Sequence, residues 1–445
     1  METLADLTVS EDTILEACGD RSIPPLGVIE QQWETDPLPV DELPSIAARA
    51  ATELDFDEVP QGGEVAVGVG SRGIANLAAI VAGVIDGLED MGYEPFVFPA
   101  MGSHGGATAE GQTDMLATLG VTEDAVGCEI RASMDVERVG STASRNVPVY
   151  ADANAVAADA ILPINRVKPH TDYDGDLESG LAKMLVIGMG KQRGAKTTHE
   201  WAIDWSFRNM IPEITEQLLE TLPIVGGVAI VEDQLDETAI VEGVPAGELV
   251  EREQELLETA YELLPRLPFD ELDVLVLDRQ GKNISGQGID PNVIGRRPFA
   301  INEAEPASPD IKRIFVRRLT PESHGNAMGI GSADFVHRDL VAELESEDTF
   351  VNALTAATVR GVRIPPVVET DRAGLIAALS AIGVVDVDDV RLLRATDTMR
   401  LQRLYASPAL VEAARGRDDL EVVREPETVE FEDDGTLVAP SPASH

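Results

Sequence analysis

Apolar runs of strand length alternate with helical stretches along the first half of the chain. Residues 64–70, EVAVGVG, read as a buried strand; 73–92 read as a helix closed by Gly92; 94–100, EPFVFPA, are a second strand. The glycine-rich turn GSHGG follows, and a helix opens near Thr108. DAILPIN (159–165) and VGGVAIVED (225–233) are further strands, and 246–264 form a helix ended by Pro265. This strand–helix–strand order predicts a parallel sheet. PRLPFDE (265–271) reads as a linker, after which LDVLVLD (272–278) starts a new strand that runs into the loop RQGKNISGQG. A strand at 311–319 and helices near 340–357 and 371–382 continue this second part. The expected fold class is therefore α/β, with two α/β domains of mainly parallel sheets. Their bounds are 1–265 and 266–425, followed by an acidic, disordered tail over 426–445.

Charge narrows the partners. The 445 residues carry 80 acidic and 34 basic side chains, a formal net charge of -46. Such a surface repels nucleic acid and anionic lipid, so neither is an expected partner. The acid is spread over helices and loops, and 44% of the chain is hydrophobic, which fits a folded protein adapted to high salt rather than a disordered one. Only Cys18 and Cys128 occur, so no disulfide framework is expected. The first twenty residues lack a basic n-region and an apolar h-region, and no apolar stretch reaches the roughly 20 residues of a membrane span. A cytoplasmic protein is expected, with a small molecule as its ligand and a homo-oligomer allowed.

The rarest residue points to the chemistry. Six lysines occur in the whole chain, and four of them, Lys168, Lys183, Lys191 and Lys196, fall within 168–196. Where arginine otherwise supplies the positive charge, such survivors are candidates for work that needs a primary amine. In an open α/β sheet, ligands bind beyond the carboxyl ends of the strands. Arg72, His104, His170 and Lys282 each sit in a loop at such an end. His104 lies in Met-Gly-Ser-His-Gly-Gly, where glycines allow close approach of a ligand and imidazole can exchange protons near neutral pH. The plainer reading is a turn histidine satisfied locally. The stretch 165–199 holds two histidines and four lysines, and its GMGKQRGAK part carries three positive and no negative charges. That suits a phosphate or carboxylate, against the alternative of salt bridges to Asp172, Asp174, Asp176 and Glu178. His199 alone is equally a packing residue beside Trp201 and Trp205. No CxxC, HExxH, GxxxxGK[ST] or GxSxG pattern occurs, which disfavours zincins, P-loop enzymes and serine hydrolases.

GSHGGATAEGQ and NRVKPHTDYDG resemble the Gly-x-His and Pro-His loops of the nickel-dependent lactate racemase family, and Lys183 with His199 resembles that family's cofactor lysine and nickel-binding histidine. The order matches, with 66 residues from His104 to His170 and 16 from Lys183 to His199. The resemblance implies a two-domain α/β enzyme, its site in the cleft between the domains, that racemises or epimerises a 2-hydroxy acid. The N-terminal domain would carry the catalytic and cofactor groups. The cofactor would be a nickel-pincer nucleotide, a pyridinium mononucleotide whose sulfur-bearing carbonyl groups grip nickel, joined to Lys183. It implies His199 as nickel ligand, His104 and His170 as the acid/base pair, and Arg72 as a cofactor-binding residue that also orients the substrate carboxylate or a nearby group. Lys191 and Lys196 would meet the cofactor phosphate, and Lys282 and Asn283 would contact substrate. Two departures bear on the substrate. Val69 stands where the family has an acidic residue three before Arg72, and DYDGDLES lengthens the loop after His170. Both point to a substrate larger than lactate, such as a sugar acid. Two other classes stay open: a metal-dependent hydrolase with His104, His170 and His199 as ligands, and a noncatalytic binder of an acidic metabolite.

Overall fold

The computed structural model describes residues 7–19, 21–70, 73–297, 305–355 and 358–438. It divides into two compact units, one formed by Thr35–Leu264 and the other by the chain up to Glu34 together with Pro265 onward.

The Thr35–Leu264 unit is built on a five-stranded sheet in the spatial order Glu94–Pro99, Glu64–Val69, Ala160–Arg166, Gly226–Glu232, Thr238–Pro245. The first four strands are parallel, and the last closes the sheet as an antiparallel edge. Alternate residues feed opposite faces. Val65, Val67 and Val97 pack on one side, Ala66, Phe96 and Phe98 on the other. Helices cover both sides, so strand residues on either face are apolar, and that is why these strands read as unbroken apolar runs. The helix Leu77–Asp90 lies against Leu43–Thr52 so closely that a Cβ on Gly83 would sit 2.2 Å from the Pro44 carbonyl oxygen. Chain order reverses between Glu64–Val69 and Ala160–Arg166, which puts a topological switch point beyond their carboxyl ends.

The other unit holds a nine-stranded sheet. Thr8–Val9, Val367–Val368, Phe335–His337, Asp310–Leu319, Glu271–Gln280 and Leu392–Ala395 run parallel. Arg403–Ala406, Leu26–Gln31 and Leu420–Glu427 then continue the sheet antiparallel. Two expectations are corrected here. The first 34 residues do not belong with the first domain: Leu26–Gln31 is an inner strand of this sheet, with Ile29 fully buried opposite Leu404. The segment after 425 is not a loose tail as far as Val438. Leu420–Glu427 pairs through its end, Phe431 bridges to Leu437, and buried Leu437 donates its backbone N–H to Asp371 at 3.0 Å. A short hydrophobic strand with partners about 370 residues away leaves no local signal of its destination. Among the described residues no helix is long and apolar enough to cross a membrane.

Candidate functional site

The loops at the carboxyl ends of the parallel strands in the Thr35–Leu264 unit converge on one segment, residues 180–190. The Glu94–Pro99 strand runs into a turn with φ of 60° at Gly102 and 63° at Gly105. His104 is exposed at the head of the short 3-10 turn Gly105–Ala107, which passes so close to the next helix that a Cβ on Gly105 would lie 2.5 Å from Gly111 backbone. Thr108 caps that helix, Ala109–Thr118, by accepting from Gly111 N–H at 3.1 Å. The turn docks on the 180–190 segment through Gly102 N–H, which donates to Gly188 O at 3.0 Å. Gly70, at the end of the Glu64–Val69 strand, faces the same segment at the Met184 methyl.

The His170 loop is organised by a buried carboxylate. Glu178 accepts from His170 N–H at 2.5 Å, Gly175 N–H at 3.1 Å and the Tyr261 hydroxyl at 3.0 Å. Tyr173, fully buried, donates its hydroxyl to the carbonyls of Leu177 and Glu178. Burial pushes the Glu178 carboxyl up to about 7, against the pull of these hydrogen bonds. The extra residues DYDGDLES therefore form a closed loop around one acid. Asp172 N–H donates to His170 Nδ1 at 3.0 Å. A nitrogen that accepts holds no proton, so the neutral ring carries its hydrogen on Nε2.

Lys183 ends the turn Leu181–Lys183, which passes through a wide turn at Met184–Gly188 into the helix Lys191–Trp205. His199, on that helix, is half-buried, and its ring meets the edge of Phe207 with centroids 5.1 Å apart. Phe207 also reaches His170 at 6.4 Å and Tyr173 at 5.4 Å, and His170 lies tilted against Tyr173 at 4.6 Å. Burial lowers the His199 pKa; the neighbouring Lys183 charge lowers it further, and Asp172 opposes both. Lys183 and Asp172 thus act electrostatically on His199, and His199 and His170 both lie against Phe207.

Glu253, fully buried on the helix Leu249–Glu262, anchors the start of the Lys183 turn by accepting from Ala182 N–H at 3.0 Å. Burial raises its pKa from 4.5 to about 7. A folded-state pKa above the unfolded one gives stability that is present below about pH 4.5 and lost as pH rises through 7. Glu253→Gln removes that loss. Urea unfolding at constant high salt is expected to show the variant more stable than wild type by about 3 kcal/mol at pH 8, converging below pH 5. A gap that does not change with pH rules out an acid at this position with a raised pKa.

The remaining expected site residues are Arg72, Lys191, Lys196, Lys282 and Asn283. Arg72 falls outside the described residues. Lys191 does not face a phosphate: GMGKQRGAK is a wide turn and the start of a helix rather than a basic loop, and the Lys191 ammonium is fully buried 2.9 Å from Asp152, none of the four acids expected to neutralise it. Lys196 is on the exposed side of that helix, 3.8 Å from Glu200. Lys282 and Asn283 belong to the other unit, where each serves its own loop. Lys282 Nζ donates to Gly286 O at 2.8 Å, and Asn283 Oδ1 accepts from Thr320 at 2.6 Å. Among the described residues no three or more His, Cys, Asp or Glu side chains are grouped to hold a metal, so His104, His170 and His199 do not make the ligand set that the hydrolase reading requires. Sequence reading missed Gln112, Phe207 and Glu253. Glu253 is an acid at an inward position of an apolar helix stripe, a signal present in the pattern.

No family model matches the chain, and no curated protein matches it. Seven chains of solved structures match it, two of which follow. A Thermotoga maritima protein from a structural genomics consortium is 14% identical, over 83% of this chain and 99% of that one, with a TM-score of 0.49. The lactate racemase apoprotein of Thermoanaerobacterium thermosaccharolyticum is 11% identical, over 88% of this chain and 96% of that one, with a TM-score of 0.43.

Proposed function

We propose that this chain is an isomerase that inverts the hydroxyl-bearing carbon of a 2-hydroxy acid, with a nickel-pincer nucleotide held on Lys183. The observation that carries this reading is the grouping of an amine and two histidines within one stretch of the chain: His170 and His199 lie against the same Phe207 ring, and Lys183 is close enough for its charge to act on His199. The donor set suits the group. Nickel(II) accepts imidazole nitrogen beside sulfur, and covalent attachment requires a primary amine. When bound, the nucleotide supplies a carbon that accepts hydride from the substrate and returns it.

The chain's own residues supply the proton chemistry. His104, exposed on its glycine turn, takes the hydroxyl proton as hydride leaves the adjacent carbon. His170 presents Nε2–H to a substrate oxygen from its own side. For the opposite enantiomer, a proton received at Nε2 requires the ring to carry its other hydrogen on Nδ1, so the Asp172 N–H contact must open. Arg72 orients the carboxylate.

The test uses protein purified from its native host grown with nickel. Peptide mass analysis is expected to find a nucleotide-sized increase at Lys183 and about one nickel per chain. Incubation with 2-deuterated hydroxy acids is then expected to give inverted product that keeps its deuterium, because hydride goes out and back rather than exchanging with water. Inversion with deuterium washed out to solvent would point to proton abstraction at carbon and remove the hydride reading.

A further inference from the structure

We infer that Lys191 is a positioning residue for His104, acting through Gln112; the inference rests on the acid/base role proposed for His104. Lys191 and Gln112 are both fully buried. Three oxygens surround the Lys191 ammonium: Pro99 O at 2.5 Å, Gln112 Oε1 at 3.1 Å and Asp152 Oδ2 at 2.9 Å. Each comes from a different element. Pro99 ends the strand that leads into the His104 turn, Gln112 lies on the helix after it, and Asp152 ends the Pro148–Asp152 strand and caps the helix Ala153–Ala157 with its other oxygen. The ammonium therefore fixes both ends of the His104 turn at once.

Gln112 carries the link to the turn. Its carbonyl accepts from Lys191, which leaves the amide NH2 facing the other way, where it donates to Gly102 O at 2.9 Å and His104 O at 3.3 Å. Lysine dictates which end of the amide points at the turn. An ammonium has three donors and no acceptor, so only the oxygen of Gln112 can face it. Burial lowers the Lys191 pKa, and the carboxylate of Asp152, 2.9 Å away, opposes this. Arginine does not replace it: a planar five-donor fork does not match three oxygens arranged around a point. This accounts for a lysine retained in the interior of a chain that otherwise uses arginine. It also separates Lys191, fully buried, from Lys183, which lies eight residues earlier and is half-buried.

The discriminating variant is Gln112→Glu. Its carboxylate still accepts from Lys191, so the buried ammonium stays satisfied, but it turns a lone pair toward Gly102 O and His104 O. Lys191→Met removes the hub altogether. His104 is observed directly through its ring 1H–13C signal, assigned against His104→Ala among only six histidines. Gln112→Glu is expected to shift that signal and lower kcat about tenfold or more, with KM little changed; Lys191→Met is expected to cost about 100-fold in kcat where it folds. A wild-type His104 signal in Gln112→Glu overturns the inference. If wild-type protein isomerises no 2-hydroxy acid yet the His104 signal moves in Gln112→Glu, positioning stands and the functional reading falls.

Discussion

Lys183→Arg is expected to lose the nucleotide-sized mass at this position, the bound nickel and all measurable isomerisation, while folding as wild type does. The substitution separates charge from amine. Lys183 depresses the pKa of His199 through its positive charge, and arginine keeps that charge. Arginine cannot make the covalent link, because the delocalised guanidinium is protonated at any working pH and is not a nucleophile. The side chain is half-buried, and its turn is anchored by the Ala182 N–H that donates to Glu253, an anchor the substitution leaves in place. Metal analysis, intact mass and a denaturation curve on the same preparation read the three consequences. A Lys183→Arg protein that still binds nickel stoichiometrically and still turns over excludes covalent attachment, because the only difference from wild type is the amine.

What could be read in the sequence follows from range. Each parallel strand of the Thr35–Leu264 unit is an apolar run with a turn at its end, and the rule that sites lie beyond carboxyl ends selects the loops at His104 and His170 from that pattern alone. The stretch 165–199 stood out by its lysines, and the segment does hold Lys183, His199 and His170 together. Three things were not legible. The destination of Leu26–Gln31 depends on Arg403–Ala406 and Leu420–Glu427, contacts that no window spans. The helical state of the first turns of Lys191–Trp205 was hidden by their glycine and basic residues, which read locally as a loop. The two jobs of adjacent lysines were hidden because one positive charge looks like another until burial is known. Lys191 is an internal ion pair and Lys196 is at the surface, although both stand in the same basic run.

His104→Ala is expected to lower turnover by about 10²–10⁴-fold while nickel content and the Lys183 mass stay at wild-type levels. The ring is exposed, and the turn is held through backbone, by Gly102 N–H to Gly188 O and by Gln112 to the carbonyls of Gly102 and His104. Deleting the exposed imidazole therefore removes no core packing and leaves these backbone anchors in place, and stability is expected to stay within about 0.5 kcal/mol of wild type. His170→Ala is the poorer probe. It also removes the acceptor for Asp172 N–H and the ring contact with Tyr173, so lost activity there mixes chemistry with loop order. Chiral chromatography of a 2-hydroxy acid incubated with His104→Ala, beside metal analysis and a thermal melt, separates the terms. Full activity with nickel bound moves the acid/base assignment off His104, while lost nickel makes the residue part of the cofactor's hold rather than of proton transfer.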